Sequence, residues 1–231
     1  MLRYALSSTR AWLPSLAFAA LPLLPLGTAH AQLTVPVNTL TADSVQEFTE
    51  MAQDSFDLLG IQVTAKGNTR KLDGTYRMPI TSITLGKSKY VGTPDAAVKG
   101  SSTGSALEIA RLDRGTRRNV TLANFTVDYH RKLVLADVTP LGQSVIPQTP
   151  VYHFTVKRPL DLNINAQGLI QLDEQLVNLR LTDSMIQTMS SALNLPSFAG
   201  AVMKATDYGT LAQTILVKWR TATPMTPYVA P

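Results

Sequence analysis

Alternation of apolar and polar residues through the middle of the chain, over Asn119–Ile164, is the sequence feature that most limits the fold. Successive side chains of a β-strand point to opposite faces, so a period of two predicts strands that bury one face. The pattern occupies four consecutive segments, Asn119–Tyr129, Lys132–Thr139, Val151–Lys157 and Leu160–Ile164. It predicts an antiparallel sheet on which the rest of the chain packs.

Weaker patterns extend the prediction to about nine strands and two short helices. Further strands are predicted at 33–40, 61–66, 76–85, 105–112, 169–181 and 210–220, with 76–85 as the return strand of a hairpin that starts at 61–66. One helix is predicted over 45–55, after a capping box at Ser44–Glu47, and the other over 185–193. The stretch Gly86–Gly104 is rich in Gly, Ser and Pro and predicts a long surface loop. We therefore expect a mainly β fold, an antiparallel β-sandwich or open barrel.

The N-terminal segment has the pattern of a bacterial signal peptide. Arg3 and Arg10 come before an apolar run over 11–27 that prolines interrupt, and Ala29-His30-Ala31 matches a cleavage site. We expect a signal peptide over 1–31, one β-rich domain over 32–220 and a loose tail over 221–231. The protein is then exported to the periplasm or the medium, and its mature chain has no transmembrane span.

Composition limits the partners. The chain has no cysteine, which excludes disulfides and thiolate chemistry. Its net charge of +5 falls to about +3 without Arg3 and Arg10, too little for a typical nucleic-acid-binding surface. Weak attraction to an anionic surface is compatible with this charge. The partner stays unknown, with an envelope component or an acidic surface as the expectation.

Two Tyr-His pairs, Tyr129-His130 and Tyr152-His153, suggest a metal or haem site, because both side chains are iron ligands in haem proteins. If Lys132–Thr139 and Val151–Lys157 form an antiparallel hairpin, Thr139 lies opposite Val151, and the numbers of paired residues sum to about 290. His153 then lies opposite Asp137. The two histidines are then about 24 Å apart and cannot share an ion. Strand parity also turns the tyrosines towards the core and leaves the histidines on the wet face or in a turn. We expect no metal site and no cofactor, with haem as the alternative.

A hydrolase is the third hypothesis. Gly100–Gly104 matches G-x-S-x-G, with Ser102 in the nucleophile position and His130 or His153 as a possible base. That motif acts at a strand-to-helix elbow in an α/β sheet, and the strand pattern here does not predict one. We therefore predict a protein that is not an enzyme and has no catalytic residue.

Basic residues at strand ends form the remaining hypothesis. The predicted turns at 130–132 and 157–158 fall at the same end of the sheet, where they would attract an anion or an acidic lipid. Turns are also charged because they are wet, and Lys or Arg at strand ends discourages edge pairing. The predicted ligand-binding residues are Tyr129, His130, Arg131, Lys132, Tyr152, His153, Lys157 and Arg158. The leading interpretation is an exported, non-catalytic β-sandwich with a binding or envelope role, and the alternative is a haem or small-ligand module.

Overall fold

The structure is a computed structural model that describes residues 33–86, 96–221 and 226–230. These residues form twelve strands and three helices, in the order β1 (Leu33–Pro36), β2 (Leu40–Glu47), α1 (Glu50–Leu59), β3 (Ile61–Gly67), β4 (Arg70–Leu72), β5 (Thr75–Pro79), β6 (Ser82–Gly86), β7 (Ala96–Asp113), β8 (Thr116–Asp128), β9 (Leu133–Pro140), β10 (Ile146–Ile164), β11 (Ile170–Leu181), α2 (Asp183–Ala192), α3 (Ala199–Ala205) and β12 (Thr210–Trp219).

All strand pairings are antiparallel and belong to one open, curled sheet. The strand order is β1-β6-β7-β8-β9-β10-β11-β12-β2-β5-β4, and β3 pairs with β7 beside this path. The predicted mainly β, antiparallel fold is confirmed, with about 60% of residues in strands. The strand count is higher than predicted, and there are three helices instead of two.

Two apolar clusters fill the interior of the curl. The larger one lies between the faces of β7–β12 and the helices, and its centre is made of fully buried side chains such as Leu176, Met185 and Tyr208. The smaller one gathers around Ile80 and Ile215, near β1, β2 and β6. Burial of these side chains is the main contribution to stability in a chain without disulfides.

The two longer helices, α1 and α2, begin at threonine caps. Thr182 Oγ1 accepts a hydrogen bond from Met185 N at 3.2 Å, which confirms the predicted second helix. The first helix begins at its Thr49 cap, so its predicted start at a capping box over Ser44–Glu47 is wrong. Those residues belong to β2, whose inward positions include polar side chains that hide the strand period.

Three further predictions are corrected by long-range pairing. The predicted surface loop Gly86–Gly104 is wrong from Ala96 onward, because β7 begins there and pairs with β6 and β8. The predicted strand at 61–66 pairs with β7 and not with 76–85. The two last strands of the central stretch are one continuous strand, β10, with three register shifts against β11.

The termini were predicted as a signal peptide and a loose tail. Residues 1–31 lie outside the described residues, so the signal peptide stays a prediction. In the tail, Tyr228 N donates to Gly104 O at 2.8 Å, and Thr226 Oγ1 donates to Gly67 O at 3.3 Å. None of the helices in the described part of the chain is long and apolar enough to cross a membrane.

Candidate functional site

The two Tyr-His pairs divide between the inside and the outside of the sheet, as strand parity predicts. Tyr152 is buried in the larger apolar cluster, and Tyr129 packs against that cluster with its ring edge-on to Phe154. His130 and His153 are exposed. Only the histidines are therefore accessible to a ligand that arrives from solvent.

The register of β10 on β9 brings the two histidines to the same end of the sheet. His153 pairs with Leu133 and not with Asp137, so the predicted register is wrong by four residues. The reason is that β10 begins at Ile146, before the predicted start at Val151, and Ile146 already pairs with Val138. His130 lies three residues before the partner of His153, so the separation of about 24 Å predicted from an ideal ladder is also wrong.

A row of side chains crosses the outer face of the sheet at this level. The paired positions are Lys99 on β7, Asp128 on β8, Leu133 on β9, His153 on β10 and Arg180 on β11. The Asp128 carboxylate turns back to its own chain, because Asp128 Oδ1 accepts a hydrogen bond from Arg131 N at 2.9 Å. The row therefore presents mainly positive and titratable groups to solvent.

The turn between β8 and β9 adds further cations beside this row. We call the joint surface the basic face and define it as His130, Arg131, Lys132, His153, Lys157 and Arg180. The predicted closeness of the 130–132 turn to β10 is supported by the bond from Phe154 N to Lys132 O, 3.3 Å long. Among the described residues, no ion pair neutralises Arg131, Lys132 or Lys157.

The second basic segment has a structural explanation of its own. The turn predicted at 157–158 is wrong. Lys157 and Arg158 lie on β10 beyond the end of β9, where the described part of β10 pairs with β11 alone. Register shifts flank Arg158, and Pro159 follows. Bulges, Lys, Arg and Pro are the features that keep an exposed strand edge from pairing with another chain. Burial acts to raise the pKa of the Asp173 carboxyl, but hydrogen bonds from Asn163, Gln171 and Thr214, with a smaller contribution from nearby Arg158, hold it below its ordinary value.

Beneath the basic face, a polar layer crosses the interior. Glu174 on β11 pairs with Gln213 on β12, which pairs with Ser44 on β2, and all three are buried. Tyr129 Oη donates to Glu174 Oε2 at 2.5 Å and accepts from Gln213 Nε2 at 3.0 Å. We call these four residues the polar layer. They lie inside the curl, between positions that belong to the larger and the smaller apolar clusters.

Burial controls the ionisation of this layer. It raises the pKa of Glu174 to about 7, against a smaller lowering by the hydrogen bond from Tyr129. The pKa of Tyr129 lies well above its ordinary value because of burial and the nearby carboxylate. The phenol is thus a neutral donor, and Glu174 changes its charge close to neutral pH.

A small cavity adjoins the polar layer. Its volume is about 20 Å³, room for about one water molecule, and Ser44, Ser102 and Gln213 line it together with apolar side chains. Ser102 is buried on β7 and pairs with Phe125 on β8. It does not stand on a strand-to-helix elbow, and the histidines at 130 and 153 lie on the outside. The described residues therefore do not form the arrangement that a serine hydrolase needs.

Tyr152 is excluded as a ligand by its surroundings. It is 5% exposed, its ring lies 5.7 Å from that of Tyr208, and burial raises its pKa to about 12.

Within the described ranges, no cluster of three or more acidic or histidine side chains suits a metal ion. Of the predicted ligand-binding residues, the structure brings five together on the basic face, places Arg158 nearby, buries Tyr152 and half-buries Tyr129.

Sequence reasoning missed Glu174, Gln213 and Arg180. The first two had a usable signal, because 172, 174 and 176 alternate inward on β11, as 211, 213 and 215 do on β12. A carboxylate on a core-facing position of a strand marks a special site. Arg180 had no comparable signal, since its place beside His153 depends on the pairing of β10 with β11.

Comparisons with known proteins find only weak likeness. No protein-family model matches the chain, and no curated protein matches it. The C-terminal domain of HtaA from Corynebacterium glutamicum superposes with a TM-score of 0.45 at 14% identity, over 77% of this chain and 97% of that domain. The haem-binding protein HtaB from the same organism gives a TM-score of 0.41 at 11% identity, over 80% and 96%. Likeness at this level does not assign a ligand to this chain.

Proposed function

We propose that the chain is an exported, non-catalytic binding module that receives a small anionic ligand on its basic face, with haem as the ligand that this donor set suits. The observation that carries the proposal is the β9–β10 register, which brings His153 beside the turn that holds His130, Arg131 and Lys132. Export rests on the signal peptide predicted over 1–31.

The side chains of the basic face suit haem in two respects. The exposed imidazoles of His130 and His153 are nitrogen donors of the kind that bind haem iron. Arg131, Lys132 and Lys157 are exposed cations that pair with carboxylates such as the haem propionates. Tyr129 and Tyr152 are held in the interior, so the phenol ligands of the original hypothesis are not part of this proposal.

The test is a haem titration of the full chain, followed by the Soret band. We expect a shift of the band with the parent chain and its loss in the double variant His130→Ala, His153→Ala. Arg131→Glu should weaken binding and its salt dependence. Arg114→Glu is the matched control, because Arg114 is exposed in the turn at the opposite end of β8.

Two results would contradict haem binding at this face. One is a titration without a Soret shift, and the other is a shift that the double histidine variant retains in full. If Arg131→Glu and Arg114→Glu then bind anionic vesicles to the same extent as the parent, the basic face is not an anion site either.

An acidic surface of the envelope is the second candidate partner, because three cations of the basic face have no ion-pair partner among the described residues. Vesicles with and without anionic lipid separate the two ligands. Binding that depends on lipid charge and on Arg131, but not on His130 and His153, supports the surface instead of haem.

A further inference from the structure

The inner face of β10 and β11 continues past the interior of the curl. Ile215 on β12 belongs to the smaller apolar cluster, and its partner Leu172 on β11 packs against that cluster. Ile170 lies two residues before Leu172 and pairs with Ile164 on β10, so both isoleucines lie on this same inner face. They are nevertheless exposed, at 70% for Ile164 and 45% for Ile170.

The end of β12 adds a tryptophan to this face. A bulge in β12 brings Trp219 opposite Leu40 on β2, and Leu40 packs against the smaller apolar cluster. Residues directly opposite each other in an antiparallel pair have their side chains on one face. Trp219 therefore lies on the inner face as well, and it is 73% exposed. We call Ile164, Ile170 and Trp219 the apolar rim.

The outer face of the same strand ends is polar. Asp173 on β11 accepts hydrogen bonds from Asn163 Nδ2 at 2.9 Å and from Thr214 Oγ1 at 3.0 Å, and all three residues lie on that outer face. The strand ends are thus amphipathic. Single exposed apolar side chains are ordinary on a protein surface, whereas several on one face mark an interaction surface.

The charges around the apolar rim favour an anionic surface. Lys157 and Arg158 on β10 and Lys218 on β12 are exposed. Within 157–173 and 214–219 of the described chain, Asp161 is the one exposed acid. A tryptophan beside a lysine at the border of an apolar surface is typical of membrane–water interfaces. There the ring lies among the headgroups, and cations are attracted to anionic lipids.

The chain enters the fold at the same end. All strand pairings are antiparallel, so the start of β1 lies at the same end of the sheet as the start of β11 and the end of β12. β1 begins at Leu33, shortly after the apolar run over 11–27. A signal peptide brings the chain to a membrane during export, so the end of the fold next to it is the end that meets lipid.

We propose that the apolar rim docks the domain on a lipid membrane that contains anionic lipid. Ile164, Ile170 and Trp219 enter the headgroup region to a depth of about 5–10 Å, and Lys218 stays at the level of the phosphates. A few apolar side chains give reversible binding, which the cations at this end strengthen. The apolar rim shares no residue with the basic face, so the proposal does not depend on haem binding.

The experiment follows the fluorescence of Trp219 in the full chain. The chain has two tryptophans, so Trp12→Phe leaves Trp219 as the reporter. The vesicles contain phosphatidylcholine and phosphatidylglycerol, and one preparation carries bromine on the acyl chains close to the headgroups. We expect the brominated vesicles to lower the Trp219 emission by roughly twofold relative to the plain ones. The added pair Ile164→Ser and Ile170→Ser should remove about half of this quenching or more, because the rim loses two apolar groups.

Leu112 provides the matched control. It is 70% exposed beside the β7–β8 turn, at the opposite end of the sheet. Leu112→Ser should leave the quenching of Trp219 unchanged. Moving the reporter, by Trp219→Phe and Leu112→Trp in the Trp12→Phe chain, should give emission that brominated lipid does not quench. This comparison also separates the apolar rim from the N-terminal apolar run, which could bring the chain to a vesicle without the rim touching it.

Three results would overturn the proposal. The first is unchanged Trp219 emission with brominated vesicles, even if the chain sediments with them. The second is equal quenching of the reporter in Leu112→Trp, which would mean that no particular end of the fold meets the lipid. The third is a blue shift of Trp219 that grows with protein concentration in the absence of vesicles, since a second copy of the chain would then cover the rim.

Discussion

The polar layer and the basic face meet at adjacent residues, Tyr129 and His130, yet they face opposite environments. Tyr129 and Tyr152 belong to the interior, while His130 and His153 belong to the surface. Inside, a polar group requires a partner, and Tyr129 has two of them in Glu174 and Gln213. Outside, water satisfies the polar groups, and Arg131, Lys132 and Lys157 make no ion pair with any described residue, which leaves them available for a ligand.

The difference separates residues that hold the fold from residues that suit binding. Substitutions inside the sheet should lower the free energy of unfolding and leave the surface chemistry intact. Those on the basic face should change ligand binding and leave stability nearly unchanged. Each of the following predictions tests one side of this division.

The largest effect is expected from Tyr152→Ala. Removal of a buried aromatic side chain should lower the free energy of unfolding by about 3–5 kcal/mol, because it loses apolar burial and leaves a cavity. Its neighbour provides the matched control: His153→Ala, on the exposed face, should change stability by no more than about 0.5 kcal/mol. Urea unfolding measures both, and equal losses would show that the inside–outside division of β10 is wrong.

The next effect is the pH dependence that Glu174 causes. Its pKa rises from an ordinary 4.5 to about 7 on folding. Below about 4.5 the carboxyl is protonated in both states and has no effect on the pH slope. Between the two pKa values of Glu174, the unfolded chain releases the proton and the folded chain keeps it. The free energy of unfolding therefore falls as pH rises through this range and levels off above about 7. The total fall is on the order of 3 kcal/mol.

Urea unfolding across pH 4 to 8, as a rough range around that window, measures the slope. Glu174→Gln should flatten it, because the amide does not ionise and still accepts a hydrogen bond from Tyr129. Asp137 and Asp173 have pKa values below their ordinary 3.8, so their contribution is lost only as pH falls below this window. An unchanged slope in Glu174→Gln would assign the pH dependence to other groups.

A smaller loss is expected from Tyr129→Phe. The ring and its packing on Phe154 remain, but Glu174 and Gln213 lose their shared partner. Leaving buried polar groups unpaired should lower stability by about 1–3 kcal/mol. The loss should be greater above pH 7 than below pH 5, as rough limits, because the hydroxyl stabilises the ionised carboxylate. A loss independent of pH would mean that this bond does not act on the charge of Glu174.

Sequence reasoning succeeded where apolar side chains mark the inward positions of a strand. In β8, Phe125 and Val127 alternate with Asn124, Thr126 and Asp128, and the strand is confirmed. It failed where the inward positions are polar or small. Ser44 and Gln46 hide the period of β2, and the Gly and Ser residues of early β7 predict a loop although Ser102 is buried.

The site was less predictable than the fold because it depends on pairing between distant segments. Parity along one strand correctly separates Tyr152 from His153. The polar layer, however, requires the register of Glu174 against Gln213 and Ser44, which lie far apart in the sequence. The closeness of the two histidines likewise depends on where β10 begins to pair with β9, and an alternating pattern within one strand does not indicate that register.

The smallest effect on stability, and the sharpest test of the outer region, is expected from Arg131→Glu. The side chain is exposed and makes no ion pair with any described residue, so the free energy of unfolding should change by no more than about 0.5 kcal/mol. The same substitution reverses a charge on the basic face, so it should weaken anion binding, most strongly at low salt where screening is least. Fluorescence-detected unfolding and ligand titration at two salt concentrations measure the two quantities on one sample. Arg114→Glu should leave both unchanged. A large loss of stability in Arg131→Glu alone would place this residue among those that hold the fold, and the basic face would then lose its central cation as a binding group.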